Sequence, residues 1–419
     1  MEASFHQKNR ENLFAALPDH SLAVLFSGEA PRQSADAYYP FFCNRNFLYL
    51  TGVDFAGFTL LLEKVNGTVK ETLYILPKDA FAERWTGRRP SAEEVQAQSG
   101  ITQIRTVDRF ADDFHRAANS GNYTTLWLDL YKDTPLEAAD QAHVFAADCA
   151  KRYPFLQVQN LLPQLKRQRT FKAPCEIAAM QKAMTVTREG ILAMMRASRP
   201  GMYEYQYKAE FDYALAQNGV KVPAFPSIIS AGQNNFCIHY YSYTGQAQDG
   251  DMILNDVGAC WDNEVNDVSR GWPCNGKFTK EQAALYRCAY NTSEYMFSTI
   301  RPGMPMASVD ETAHRFCCEE LKKLGLLKSY DEIGKYMWHG GAHHIGYDVH
   351  DVVDMTHPVA PGMVFCVDIG IYCEDWGIGF RVEDNCLVTE NGCVNLSAAI
   401  PRKLEDIEDY MAQFPHTAK

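Results

Sequence analysis

Acidic residues set inside apolar, strand-like runs constrain this chain more than any other feature. Asp256 follows MILN and precedes VGA, Asp368 lies within MVFCVDIGIY, and Glu383 lies within GFRVEDNC. Asp267 follows the turn-like DNEVN and precedes VSRGW. A carboxylate in such a run has to be paired, hold a cation or shift its pKa strongly. The plainer reading is a set of charges on the outer face of edge strands. Apolar flanks on both sides argue against it for Asp256 and Asp368. Two of the acids fall on one hairpin and two on another.

Histidine is spread just as unevenly. Seven of the twelve histidines lie between His239 and His357, and five of those fall between His339 and His357. WHGGAHHIGYDVHD places His339, His343 and His350 among small residues, where side chains can converge on a pocket. One such histidine would be an ordinary structural residue, but a cluster points to chemistry. Four carboxylates with an imidazole are too anionic for a structural zinc site and suit hard divalent ions. Two ions sharing bridging carboxylates, roughly 3.5–4 Å apart, would balance the charge and support metal-assisted hydrolysis.

The 419 residues are enough for two or three domains with buried cores. A net charge of -12 argues against a nucleic acid or an anionic membrane as the main partner. No apolar run approaches the ~20 residues that span a bilayer. No basic segment followed by an apolar core opens the chain, so no signal peptide is expected. Thirteen cysteines, an odd number with no C-x-x-C pair, read as reduced thiols in a cytoplasmic setting.

The first 168 residues predict an α/β domain. Strands are expected at 21–28, 47–52, 58–65, 71–77 and 124–131, with a hairpin turn at Asn66-Gly67. Helices are expected from Ser91 to Ser99, behind a Ser91/Glu94 capping box, and from Thr134 to Tyr153, opened by Pro135. The basic stretch 165–174 reads as a linker. Beyond it, helices are expected from Pro174 to about Arg199, over 204–217, and near 280–300 and 307–324. Strands are expected at 227–232, 237–242, 252–260, 363–373 and 380–389.

At the acidic and histidine-rich segments the chain resembles the pita-bread metallopeptidases, and within them aminopeptidase P, over nearly its whole length. Asp256-Val257-Gly258 stands where the family has D-A-G. Asp267-Val268-Ser269-Arg270 matches D-[IV]-[ST]-R. His339, His343, Gly346, Asp348, Val349 and His350 match H-G-x-x-H-x-[IL]-G-x-D-V-H-D. Gly379, Arg381, Glu383 and Asp384 match G-x-R-x-E-D. DAYYPFFCNRNFLYLTG (36–52), with Glu83, Trp85, Gly87 and Arg88, is similar to motifs of the aminopeptidase P N-domain. In one place the chain departs: Val367-Asp368-Ile369-Gly370 replaces the family's V-E-P-G.

The resemblance implies an N-terminal α/β domain (1–168) and an α+β pita-bread catalytic domain (169–419), whose curved, mostly antiparallel sheet is backed by helices. It implies two divalent ions held by Asp256, Asp267, His343, Asp368 and Glu383, with Asp256 on one ion, His343 and Asp368 on the other, and Asp267 and Glu383 bridging. Mn2+ is favoured, with Co2+, Zn2+ or Fe2+ as alternatives. Glu383 would move the proton of the attacking water, while His239 and His350 would serve the oxyanion or the leaving nitrogen. His339 and Arg381 would both belong to the substrate-binding residues, His339 shaping the pocket and Arg381 orienting the acidic set by pairing with a ligand carboxylate. The implied activity is cleavage between an N-terminal residue and a following proline, by a homodimer or homotetramer. Prolidase, a dipeptidase, is the competing reading, and a non-catalytic binding module on the same fold is a more distant one. Asp368, a methylene shorter than Glu, implies either a strand set closer to the ions or a weaker hold on one of them.

Overall fold

The structure is a computed structural model that describes residues 1–414. It divides into two compact units, Met1–Gln168 and Arg169–Lys419. Among the described residues no helix is long and apolar enough to cross a membrane.

The first unit is built on a six-stranded mixed sheet. Its strands are β1 (Ser21–Phe26), β2 (Thr59–Val65), β3 (Thr68–Ile75), β4 (Ile104–Thr106), β5 (Thr125–Leu128) and β6 (Gln157–Asn160), in the order β4-β3-β2-β1-β5-β6. β2 and β3 form the expected hairpin. Asn66 and Gly67 both take positive φ, 51° and 72°, as a tight turn matched to strand twist requires. The Ser91/Glu94 capping box also forms, opening the helix Ala92–Ser99.

Four expected elements in the chain take other forms. FLYLTG is not a strand: Arg45–Thr51 is a helix. Asn44 caps it by accepting from the Phe47 N–H at 2.8 Å, and Gly52, at φ 70°, ends it. The segment is buried all round, so apolar content could not separate helix from strand, and the caps decide. The helix expected from Thr134 starts only at Gln141. There Asp140 accepts from the His143 N–H, while Glu137 ties back the turn before it. In the basic stretch 165–174, Leu162–Arg169 is helical. Arg169 and Lys172 are buried against Asp351, so their charges do not mark a solvated linker. Residues 237–242 are irregular. The preceding Asn235 donates its amide to Met252 O and Gly379 O, at 2.8 and 2.9 Å, and turns the chain away from the sheet.

The second unit carries a three-stranded and a four-stranded sheet. β7 (Ile228–Ala231), β8 (Met252–Val257) and β9 (Val268–Pro273) form the first, in the order β9-β8-β7. β10 (Ala342–His344), β11 (Val364–Cys373), β12 (Ile378–Thr389) and β13 (Gly392–Asn395) form the second, in sequence order. Every pairing in both sheets is antiparallel. β11 and β12 are buried almost end to end. Helices Pro174–Ala197, Glu204–Gln217, Lys280–Thr299 and Met306–Lys323 share a large apolar core with these strands.

Between β8 and β9 the chain doubles back at Gly258. A Cβ placed there would lie 1.8 Å from the Asn266 carbonyl oxygen, a backbone atom that cannot swing aside. Gly258→Ala is therefore expected to destabilise by about 1–3 kcal/mol through overpacking, read as a lower thermal midpoint. Gly334→Ala, with no atom within 4 Å of the added methyl, is the control and should stay near wild type.

Candidate metal centre

Period-two strands aim the site residues. On β11, Cys366, Asp368 and Tyr372 share one face; on β12, Arg381, Glu383 and Asn385 do the same. Asp368 lies directly opposite Glu383, and His343 of β10 directly opposite Cys366. Asp256 lies near the end of β8, and Asp267 immediately precedes β9. All nine residues singled out in the sequence line one cavity of about 360 Å³: His239, Asp256, Asp267, His339, His343, His350, Asp368, Arg381 and Glu383. The four carboxylates are buried, Glu383 to 1% exposure, whereas His239 and His350 open to solvent from loops.

Arg381 ties much of this wall together. Its guanidinium sits 2.8 Å from Asp256 Oδ2 and donates to the Tyr372 hydroxyl at 2.9 Å and to Ser269 Oγ at 3.2 Å. Ser269 Oγ in turn donates to Glu383 Oε2 at 2.8 Å. His343 Nε2 lies 3.3 Å from Glu383 Oε1 and 3.6 Å from Asp267 Oδ2. His339 Nδ1 is 3.2 Å from Asp368 Oδ2, and its Nε2 is 3.2 Å from the Tyr372 hydroxyl. The His343 and His350 rings meet edge to face, with centroids 4.4 Å apart.

The loop bearing His350 is anchored from behind. Asp351 donates its N–H to His344 O, and its carboxylate is held by Lys172 Nζ at 2.6 Å and by Arg169. Burial alone would raise Asp351; these two cations outweigh it and bring the carboxyl down to about 2. His344 beside it is buried against Phe365, and desolvation lowers its imidazole to about 4.

The electrostatics of the cavity are uneven. Burial would raise Asp256, but Arg381 overcomes it and holds that carboxyl below its usual range. Asp267 has no such cation, and Arg381 offsets the burial of Asp368 only in part. Burial, and then the charge of Asp256 and Glu383 on Asp267 and of Glu383 on Asp368, drive both well above the carboxylate range. His343 is held above its usual range despite burial, because it bonds Glu383. His350 is lowered, first by desolvation at the cavity wall and then by His343. Desolvation takes His339 down to about 4.

This donor set fits divalent cations. Asp256 Oδ1, Asp267 Oδ1 and Asp368 Oδ1 are buried acceptors without a hydrogen-bond partner. Asp267, His343, Cys366 and Glu383 each offer a ligand atom, all within 4.8 Å of one another. Three of these four were expected from the sequence; Cys366 was not, and neither was Tyr372. Both could have been found from the strand period, two residues before and four after Asp368.

Residues 178–390 match the model of metallopeptidase family M24, and residues 6–127 match that of the aminopeptidase P N-terminal domain. The chain is 30% identical to the Xaa-Pro aminopeptidase of Escherichia coli, over 97% of each chain. It is 29% identical to that of Haemophilus influenzae, over 97% of this chain and 96% of the relative. A solved structure of E. coli aminopeptidase P with the inhibitor Pro-Leu superposes with a TM-score of 0.90 at 28% identity, over 99% of both chains. A Bacillus anthracis structure assigned as an aminopeptidase P gives 0.97 at 36%, also over 99% of both. The second unit thus has the pita-bread fold, and the first unit is α/β.

Ions binding this cavity must displace protons, because Asp267 and Asp368 are held above the ordinary carboxylate range and ligate only when ionised. Apparent metal affinity should therefore fall as pH falls, with proton release on loading. Calorimetric Mn2+ titrations in two buffers of different ionisation enthalpy check this. Identical heats in both buffers at mildly acidic pH would contradict it.

Proposed function

The chain belongs to metallopeptidase family M24, and on that premise we propose that it is a metal-dependent Xaa-Pro aminopeptidase, a hydrolase that removes the first residue of peptides with proline in second place. The observation that carries the reading is the convergence of four buried carboxylates and His343 in one cavity, with Arg381 as the only guanidinium lining it among the described residues. The match to the aminopeptidase P N-terminal domain, and relatives named as Xaa-Pro aminopeptidases, favour this substrate class over dipeptides. On this reading the first unit, 1–168, is the aminopeptidase P type N-domain, and the second, 169–419, is catalytic. Thirteen free cysteines support a reducing, cytoplasmic setting, and a homodimer or homotetramer is the expected assembly.

The cavity would hold two divalent ions, Mn2+ by the hardness of most donors, through Asp256, Asp267, His343, Asp368 and Glu383. When bound, the ions supply charge that polarises the scissile carbonyl and makes a water nucleophilic at neutral pH. Glu383, fixed by Ser269, takes the proton of the attacking water at its carboxylate. His239 and His350 face the cavity from loops open to solvent, where an imidazole can donate to the oxyanion or to the departing nitrogen. A prolyl nitrogen carries no N–H within the peptide and needs that proton to leave. Arg381 holds Asp256 ionised and in place. His339, kept neutral by burial, shapes the pocket beside Asp368.

Two variants test this division of roles. Asp267→Asn should abolish hydrolysis of an Xaa-Pro-Xaa tripeptide while the fold persists, because an amide cannot neutralise two cations. Full activity with two ions bound would refute the bridging role. His350→Ala should lower turnover by roughly 10²–10⁴ with metal content near wild type. Loss of an ion in that variant would make His350 a ligand. Turnover of a dipeptide Xaa-Pro above the tripeptide would favour a dipeptidase instead.

A further inference from the structure

The tightest donor group in the cavity is not the set that the hard-ion reading names. It joins Asp267, His343, Cys366 and Glu383, and it includes neither Asp256 nor Asp368. Asp256 is engaged by Arg381, and Asp368 Oδ2 leans on His339 Nδ1 at 3.2 Å. Cys366 is fully buried, at 0% exposure, directly across the strands from His343 on one side and Asn385 on the other. Asn385 donates to its sulfur at 3.5 Å and, through the same amide nitrogen, to Asp267 O at 2.5 Å. Asp267, 4% exposed, presents an Oδ1 with no partner in the same group.

We propose that Cys366 is a metal ligand, so that the two positions of the centre differ in kind: an oxygen-only position on the Asp256 side, and a softer position with nitrogen and sulfur donors on the His343 side. The proposal rests on the dinuclear reading above and deepens it. Asp368 is a methylene shorter than the family's glutamate, and the sulfur two residues earlier on the same strand face falls within the 4.8 Å group, where it can add a donor beside His343. At that His343-side position imidazole, carboxylate and thiolate together select Zn2+ or Co2+ over Mn2+, because sulfur favours borderline-soft ions, while the oxygen-only position keeps its preference for Mn2+. On binding, the thiol proton passes to solvent and the S–H bond is replaced by a sulfur–metal bond, with no change of oxidation state.

Cobalt loading reads the ligand directly, without an activity assay. The full chain is used, with the exposed Cys175 and Cys237 replaced by serine to remove adventitious thiols. Co2+-loaded protein should show a thiolate-to-cobalt charge-transfer absorption in the near ultraviolet, and Cys366→Ser should abolish it. By equilibrium dialysis and metal analysis, the same variant should lose at least about tenfold of its Zn2+ preference over Mn2+ at one position, the scale of a lost metal-site partner. Two cobalt ions per chain with no such band, or a band that survives Cys366→Ser, would overturn the sulfur ligand and leave the dinuclear reading intact. One ion per chain with the band present would support Cys366 while removing the second position. The parent spectrum needs no variant at position 366, so misfolding of the serine variant cannot mask the result.

Discussion

Everything in the second unit answers to one problem of charge. Four carboxylates, Asp256, Asp267, Asp368 and Glu383, are nine-tenths or more buried in a single cavity, and among the described residues Arg381 is the only guanidinium on its wall. Isolated buried carboxylates are among the costliest groups a fold can hold. The cavity offsets part of the cost locally: Asp256 has Arg381, Glu383 has Ser269 and His343. For Asp267 and Asp368 the offset is incomplete, and their raised carboxyls are the residue of that imbalance. A cation is the natural complement, and the protein keeps the site assembled by rigidity elsewhere.

That rigidity comes from the strand period. On β12, Arg381 and Glu383 face the cavity, and Asp384 between them and Asn385 faces the other way. Asp384 is fully buried on that reverse side, 2.8 Å from Arg270 Nη2 and 3.0 Å from Arg402 Nε. Arg270 also donates to Glu383 O at 2.7 Å. Adjacent residues of one strand thus serve opposite ends: one side presents charge to a ligand, and the other spends its charge on locking β12 to β9 and the C-terminal segment. Removing one partner of such a buried pair typically costs several kcal/mol, because it strands the other charge. The G-x-R-x-E-D pattern has its physical basis in this alternation.

The site was more legible in the sequence than parts of the fold around it. An acid in an apolar strand is conspicuous, since few environments tolerate it, so Asp256, Asp368 and Glu383 stood out without any tertiary information. FLYLTG gave no such signal. It is buried on every side, and only Asn44 and Gly52 at its ends reveal a helix. Arg169 and Lys172 misled for a related reason: basic residues normally mark solvent, and their buried partner Asp351 lies some 180 residues away, beyond any local pattern. Cys366 passed as one more apolar residue of β11, because a buried thiol resembles a small hydrophobe until its neighbours are known.

The division between strands and loops carries the last step. Asp368, Glu383 and His343 lie on paired strands, and Asp256 and Asp267 at strand ends, where backbone ladders limit drift. A metal centre built on these residues, as proposed above, would need that precision, because a metal bond tolerates only a few tenths of an Å. His239 and His350 lie on solvent-open segments beyond the ladders. A group that hands a proton to a departing nitrogen must meet an atom whose position changes during the reaction, so some freedom there is useful. Yet His350 is not loose at its root. Asp351, next in sequence, is clamped by Lys172 and Arg169 and bonded to His344 O, one residue from His343. The buried cations that the sequence presents as a linker thereby fix the base of the loop, leaving the imidazole at its tip to meet the His343 ring.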